Sequence, residues 1–254
     1  MQTAIKVKED VELRNPVLIE GLPGLGSVGA IAVSYMIKEL KAMKFAELYS
    51  PFFPHHVIVD KDGNVRLLRA EFYFSRAGDR DVILLTGDSQ AQTIYGQYEM
   101  VSKILDFVKK YGVKVIITLG GYYATVRGES PRVICASTDP ALQSIFLNSG
   151  AVSSPTNNPI AGAAGLFLGL ARLRGMDAAC LLGETAGHMP DPRAAKSVLT
   201  VLCEALRFKI SLNDLDEAIK RSDRIVKSVR EIERKVESFE RTLRRRKEGI
   251  TYIS

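Results

Sequence analysis

The chain has 254 residues, of which 46% are hydrophobic, 25% charged and 7% aromatic, with no Trp. This composition excludes disordered and fibrous classes and leaves room for a core that needs no disulfide or metal staple. The formal net charge is +6, but residues 213–248 hold 12 basic and 9 acidic side chains with their signs mostly interleaved, which suits a solvated helix face and argues against a nucleic-acid partner.

From Pro16 to about Arg207 strand-like and helix-like segments alternate. Val17-Leu18-Ile19 reads as a short buried strand, followed by a Gly-rich turn and a helix near Ser27 to Leu40. Residues 41–49 carry only a weak strand pattern. Val65 to Phe74 and Val82 to Leu85 are further strands, and a helix near Ile94 to Tyr111 leads to a strand at Val113 to Leu119. Val133 to Ala136 predicts a strand, Pro140 to Leu147 a helix, Ile160 to Arg174 a Gly/Ala-rich helix, Ala178 to Leu182 a strand and Ala194 to Leu206 a helix. Such alternation implies an α/β fold, a mostly parallel sheet sandwiched by helices. Gly162, Gly165 and Gly169 fall on one side of their helix, where close packing against another backbone would offset the cost of glycine.

No membrane span is expected. The longest uncharged stretch, Pro140 to Ala171, is broken by Asn, Ser, Gly and Pro, and its apolar part, Ile160 to Ala171, is far short of the ~20 residues a bilayer helix needs. The N-terminal Met-Gln-Thr-Ala-Ile-Lys has no apolar signal core. Cys135, Cys180 and Cys203 match no zinc or redox spacing and suit a reducing cytoplasm.

Four segments rich in glycine or small polar residues follow predicted strands: Gly21 to Gly29, Thr86 to Gln90, Gly120 to Tyr123, and Gly183 to Asp191. Ligands in open α/β sheets bind beyond the carboxyl ends of strands, so these segments predict a crevice. Within the first, Gly24-Leu25-Gly26-Ser27-Val28-Gly29 matches G-x-G-x-x-G, with Glu47 at the distance of a ribose-binding acid. Leu22-Pro23 lengthens the turn beyond the tight dinucleotide form, so a Gly-rich turn packed close to the sheet is the competing reading. Ser27 lacks the first glycine of a nucleophile elbow, and His55, His56 and His188 have no spaced partners for a metal. No catalytic residue, metal or cofactor is expected.

The C-terminal part is a separate element. Ser211 and Asp214 form a helix start signal, with Asn213 a competing cap. Leu215, Ala218, Ser222, Ile225, Val229, Ile232, Val236, Phe239 and Leu243 then alternate spacings of three and four, an a/d seam over four heptads. The seam predicts pairing with another helix, with folding back on the same domain as the alternative. Behind the basic run Arg244-Arg245-Arg246-Lys247 lies the apolar tail Gly249-Ile250-Thr251-Tyr252-Ile253-Ser254, which suits insertion into a partner. The predicted organisation is a core domain over 1–210, a heptad helix over 211–248 and a tail over 249–254.

Gly21-Leu22-Pro23-Gly24-Leu25-Gly26-Ser27-Val28-Gly29, Ile117-Thr118-Leu119-Gly120-Gly121-Tyr122 and the run from Leu182 to Ala195 together resemble the proteasome assembly chaperone family in its archaeal branch, over about residues 10 to 225. The resemblance implies a phosphorylase-like α/β sandwich and a helical C-terminal part. It also implies a cytoplasmic homo-oligomer or paralogue hetero-oligomer without catalysis, acting on proteasome α subunits. Members that dock on the α-ring end in a hydrophobic residue, Tyr and any residue; here Tyr252 is third from the end. Ile250, Tyr252 and Ile253 are therefore candidate partner contacts in a shifted register, the alternative being a scaffold that does not touch the ring. Ile225, Val229, Ile232, Val236, Phe239 and Leu243 are the candidate oligomerisation seam. The implied fold also keeps open a small-molecule or ligase-like function in the crevice. Backbone amides of Gly24, Gly26 and Gly29 would then hold an anion, with Asp88, Glu184 or Asp191 adding polar contacts.

Overall fold

The computed structural model describes residues 2–77, 80–125 and 130–225. Its centre is set by the run Val17–Glu20 (β2), all four residues buried, which forms parallel ladders with Arg80–Gly87 (β7) on one side and Val115–Tyr123 (β8) on the other. Asp177–Thr185 (β11) continues the parallel block beside β8. Near-continuous apolar runs at β2, β7, β8 and β11 are what strands covered on both faces require.

Antiparallel strands extend this block. Ala70–Ala77 (β6), Met43–Tyr49 (β3) and Ala4–Val7 (β1) add outward from β7. On the far side Val133–Ser137 (β9) pairs antiparallel with β11 and carries Val152–Ser153 (β10). The sheet order is β1-β3-β6-β7-β2-β8-β11-β9-β10, with a separate hairpin of Val57–Val59 (β4) and Val65–Leu67 (β5). Helices Val28–Glu39 (α1), Ile94–Lys110 (α2), Pro140–Asn148 (α3), Gly162–Leu173 (α4) and Pro192–Leu206 (α5) cover the sheet. Helix α2 packs with α4 and helix α1 with α5, giving two helical layers around one sheet. On the α2/α4 side Leu18, Phe45, Phe72, Ile116 and Cys180 join Met100, Ile104 and Phe167 in one buried cluster.

Local chemistry explains the helix starts. Thr93 Oγ1 accepts the Gly96 N–H at 3.0 Å, Asp139 the Leu142 N–H at 2.7 Å and Asp191 the Ala194 N–H at 3.0 Å. Pro140 and Pro192 occupy the first helical positions, where no N–H is missed.

Three expectations need correction. The segment 65–74 is two strands, because the Asp88 carboxylate accepts the Arg69 N–H at 2.9 Å while the Asp88 N–H donates to the Arg69 carbonyl at 3.0 Å, pulling the chain off the β5 path. Residues 43–49 form a full strand with Phe45, Ala46 and Leu48 wholly buried. Its pattern is weak only because Lys44 and Glu47 interrupt it, and these serve an ion cluster. Glu47 lies opposite Glu71 in the β3/β6 register, and Lys44 Nζ reaches both carboxylates, at 2.8 and 3.0 Å. Arg69 bridges the same pair at 3.1 and 2.7 Å, and Lys8 adds a contact to Glu47 at 3.0 Å. Burial alone would raise the Glu47 carboxyl, but bonds from Lys44, Lys8 and Tyr49 outweigh it and hold the carboxyl near 2.

The third correction concerns the glycines of α4. A Cβ on Gly165 would lie 2.0 Å from the Ile160 carbonyl oxygen, so that glycine fits the helix's own entry loop, and Gly162 opens the helix at φ +78°. Gly169 faces open space. The backbone approach that matters is instead at α1, where a Cβ on Gly29 would stand 2.1 Å from the Leu119 carbonyl oxygen and one on Gly21 would stand 2.2 Å from the Gly29 carbonyl oxygen.

The chain divides into a unit of Met1–Leu212 and a second of Asn213–Ser254. In the second, residues 213–225 are helical and Ile225 is exposed. Seam positions Val229, Ile232, Val236, Phe239 and Leu243 and tail positions Ile250, Tyr252 and Ile253 lie outside the described residues. Among the described residues no helix is long and apolar enough to cross a membrane.

Two alanine substitutions separate these glycine environments. Gly29→Ala forces backbone against backbone and is expected to destabilise by about 3 kcal/mol. Gly169→Ala adds a helix former in open space and is expected to stabilise by roughly 0.5–1 kcal/mol. Urea unfolding of the two variants against the parent checks both signs.

Candidate functional site at the strand ends

The carboxyl ends of β7, β2, β8 and β11 share one edge, as parallel pairing demands. The predicted segments do meet there, although Gly120 to Tyr123 and Gly183 to Thr185 prolong β8 and β11 rather than forming loops. After β2 the chain turns sharply. Gly26, at φ +59°, donates its N–H to the Gly187 carbonyl at 3.4 Å and accepts from the Asp191 N–H at 2.8 Å. A Cβ on Gly121 would stand 2.4 Å from the Leu25 carbonyl oxygen. The glycines therefore let the turn lie flat on β8 and β11.

This placement separates the candidate anion-binding residues. Gly24 borders an open cavity, whereas Gly26 is buried against Thr185 and Gly29 against Leu119. Glu47 lies on β3, with β6 and β7 between it and β2, and is occupied by its ion cluster. The three proposed polar partners are likewise engaged. Asp88 pairs with Arg66 at 2.6 and 2.9 Å. Glu184 accepts from the Arg132 guanidinium at 2.9 and 2.5 Å, which holds its carboxyl below the usual range. Asp191 caps α5 and accepts the Thr185 hydroxyl at 2.8 Å.

His55, His56 and His188 are exposed, and no group of His, Cys, Asp or Glu able to hold a metal occurs among the described residues. Cys135, Cys180 and Cys203 are free thiols pushed up by burial to about 11, 12 and 12.

The cavity itself is about 590 Å³ and opens between the end of β2, the end of β8 and the start of α4. Gln90 fastens its wall: its Nε2 donates to the Pro23 carbonyl at 2.9 Å, and its Oε1 accepts the Ala163 N–H at 3.0 Å and Gln97 Nε2 at 3.1 Å. The one group in the cavity that sequence reasoning passed over is Glu20. It ends an otherwise apolar strand and is only 1% exposed. Its Oε1 accepts the Leu22 N–H at 2.8 Å, while Oε2 has no partner. Burial raises the carboxyl to about 8, against a smaller lowering by the Leu22 bond. The signal was an acid directly after Val17-Leu18-Ile19, where a buried central strand should continue apolar.

The fold and site define a class: an α/β sandwich with a mixed nine-stranded sheet between two helical layers and a cavity at the strand ends. Residues 18–230 match the PAC2 family, and the chain belongs to that family. An uncharacterized Methanocaldococcus jannaschii protein, MJ1210, is 34% identical over 248 residues, 98% of this chain and 96% of the relative. Among solved structures, Pyrococcus furiosus PbaB, an archaeal proteasome activator, is 40% identical with a TM-score of 0.86 over 90% of this chain and 99% of its own. Pyrococcus furiosus PbaA, an archaeal homolog of proteasome-assembly chaperone, is 26% identical with a TM-score of 0.75 over 99% and 100%. The resemblance read in the three sequence motifs and the α/β sandwich are both upheld.

Glu20 sets a pH dependence of definite sign. Between about 4.5, where the carboxyl ionises in the unfolded chain, and about 8, where it ionises in the fold, the folded state holds a proton that the unfolded state has lost. Its contribution to stability therefore falls as pH rises through that window, by about 5 kcal/mol at most. Glu47 acts only below it, because its lowered carboxyl contributes stability that is lost as pH falls toward 2. Urea unfolding of the parent should weaken from pH 5 to pH 8, and Glu20→Gln should flatten that slope. An unchanged slope in the variant would assign the titration to another group.

Proposed function

We propose that this chain is a non-catalytic, oligomeric, chaperone-like protein that binds proteasome α subunits through its C-terminal tail. The observation that carries the reading is the 40% identity with the proteasome activator PbaB across 90% of the chain, joined by the full-length likeness to PbaA. The strand-end acids add support, since Asp88, Glu184 and Asp191 are held in structural pairs and caps and present no acid–base pair to a substrate. In this reading the heptad residues Ile225 to Leu243 join copies of the chain, and Ile250, Tyr252 and Ile253 enter a pocket on the α subunit.

Native mass spectrometry of the full chain, alone and mixed with proteasome α subunits of the same organism, tests both halves. A defined oligomer that gains α subunits is the expected outcome. Removing Gly249 to Ser254, or Tyr252→Ala alone, should weaken that binding by about tenfold or more while leaving the oligomer intact. Undiminished binding by the truncated chain would remove the tail from the mechanism, and an oligomer that ignores α subunits would overturn the partner.

A further inference from the structure

We infer that the cavity at the end of β2 is a binding site for a small organic cation, an amidinium, guanidinium or ammonium on an apolar body, with the Glu20 carboxylate as its counter-ion. The geometry begins with the carboxyl. Glu20 is buried, one oxygen is satisfied by the Leu22 N–H at 2.8 Å, and the other has no donor. An orphan oxygen of this kind is costly in a fold and calls for a partner from outside the chain. Glu20 lines the cavity, whose volume of about 590 Å³ is that of a small-ligand pocket, and a ligand that reached the orphan oxygen would have to displace the thin cover that now buries it.

The lining decides the charge of the ligand. Leu22, Leu119, Ile160 and Leu182 make the walls apolar, Tyr122 and Tyr123 add aromatic surface, and no Lys, Arg or His lines the cavity among the described residues. An anion entering there would find no cationic side chain to pair with among the described residues, and above about pH 8 it would face the ionised Glu20 carboxylate. A cation would complete the ion pair, satisfy the orphan oxygen and find aromatic quadrupoles nearby. A rigid apolar body fits the walls and would leave the cation little water to lose it to.

Binding has a proton consequence. Glu20 holds its proton below about pH 8, so a cation binding at neutral pH must expel that proton to solvent as the carboxylate forms. The other titratable groups close to it are the phenols of Tyr122 and Tyr123 in the lining and the Cys180 thiol on β11, which burial keeps protonated to about 12. The thiol therefore does not titrate in the same range.

The test uses the full chain, with benzamidine as cationic probe and benzamide as its uncharged analogue, in calorimetric titrations between about pH 6 and pH 9. Benzamidine is expected to bind with an affinity that rises about tenfold per pH unit and levels off above about pH 8. At pH 6 close to one proton should be released per ligand, read from buffers of different ionisation enthalpy. Above about pH 8, where the comparison of the two probes is made, benzamide should bind at least ~100-fold more weakly than benzamidine, and its affinity should not change with pH. Glu20→Gln, which keeps the side-chain shape, should lose benzamidine binding. If that variant does not fold, the benzamidine-to-benzamide ratio and the proton release of the parent decide alone. Equal binding of the two probes, a pH-independent benzamidine affinity, or full binding by folded Glu20→Gln would each overturn the site. So would silence from benzamidine, guanidinium and cyclohexylammonium at about 10 mM, which would leave the cavity to solvent. None of these outcomes bears on the α-subunit assay.

Discussion

The backbone contact between the turn after β2 and the neighbouring strand governs much of this structure. Gly21, Gly29 and Leu119 approach so closely that a single methyl at either glycine would collide with a carbonyl oxygen, at 2.2 or 2.1 Å. That contact seats helix α1 on β8, beside the buried side chains of Val28 and Ala32. The reversal it imposes brings the Leu22 N–H back to Glu20 Oε1, and Gln90 then ties Pro23 to the first turn of α4. One tight turn thus packs a helix, fixes one carboxylate oxygen and builds a cavity wall.

The buried acids show how unusual Glu20 is within this fold. Glu47, Asp81, Glu184 and Asp191 are also buried, and each has donors matched to its charge. Glu47 takes Lys8, Lys44 and Arg69; Asp81 accepts the Arg14 N–H at 2.7 Å; Glu184 takes Arg132; Asp191 takes a helix N-terminus and a hydroxyl. The outer strands tolerate opposed Glu47 and Glu71 only because cations lie between them. The central strand has no such supply, because parallel neighbours buried on both faces leave no room for Lys or Arg. An acid there stays protonated at neutral pH, because no cation among the described residues reaches it.

Most of the architecture was legible in the sequence because its signals are local. The apolar runs of β2, β7, β8 and β11, the helices after Asp139 and Asp191 and the three family-like motifs each read correctly from short stretches of chain. Errors arose where a distant contact decided the outcome. Lys44 and Glu47 disguised β3, since their partners at residues 8, 69 and 71 lie elsewhere in the chain. The glycine pattern left a phosphate cradle and a turn packed on the sheet both open, because spacing cannot tell a ligand from the backbone of Leu119. Asp88, Glu184 and Asp191 looked available for the same reason: Arg66 and Arg132 become neighbours only after folding. Glu20 was visible as an anomaly but not as a site, because an unpaired oxygen exists only in three dimensions.

The family likeness and the tail speak to different parts of the chain. The PAC2 match ends at residue 230, before Ile250 and Tyr252 begin. The match therefore rests on the α/β body, and membership alone does not carry the tail's chemistry. Within the body, register is fixed by backbone contact: moving Gly29 or Gly121 by one position would put a side chain where the Leu119 or Leu25 carbonyl stands. Substitution is thus least tolerated where backbone meets backbone, at Gly21, Gly29 and Gly121, and these contacts hold the strand ends in one fixed arrangement.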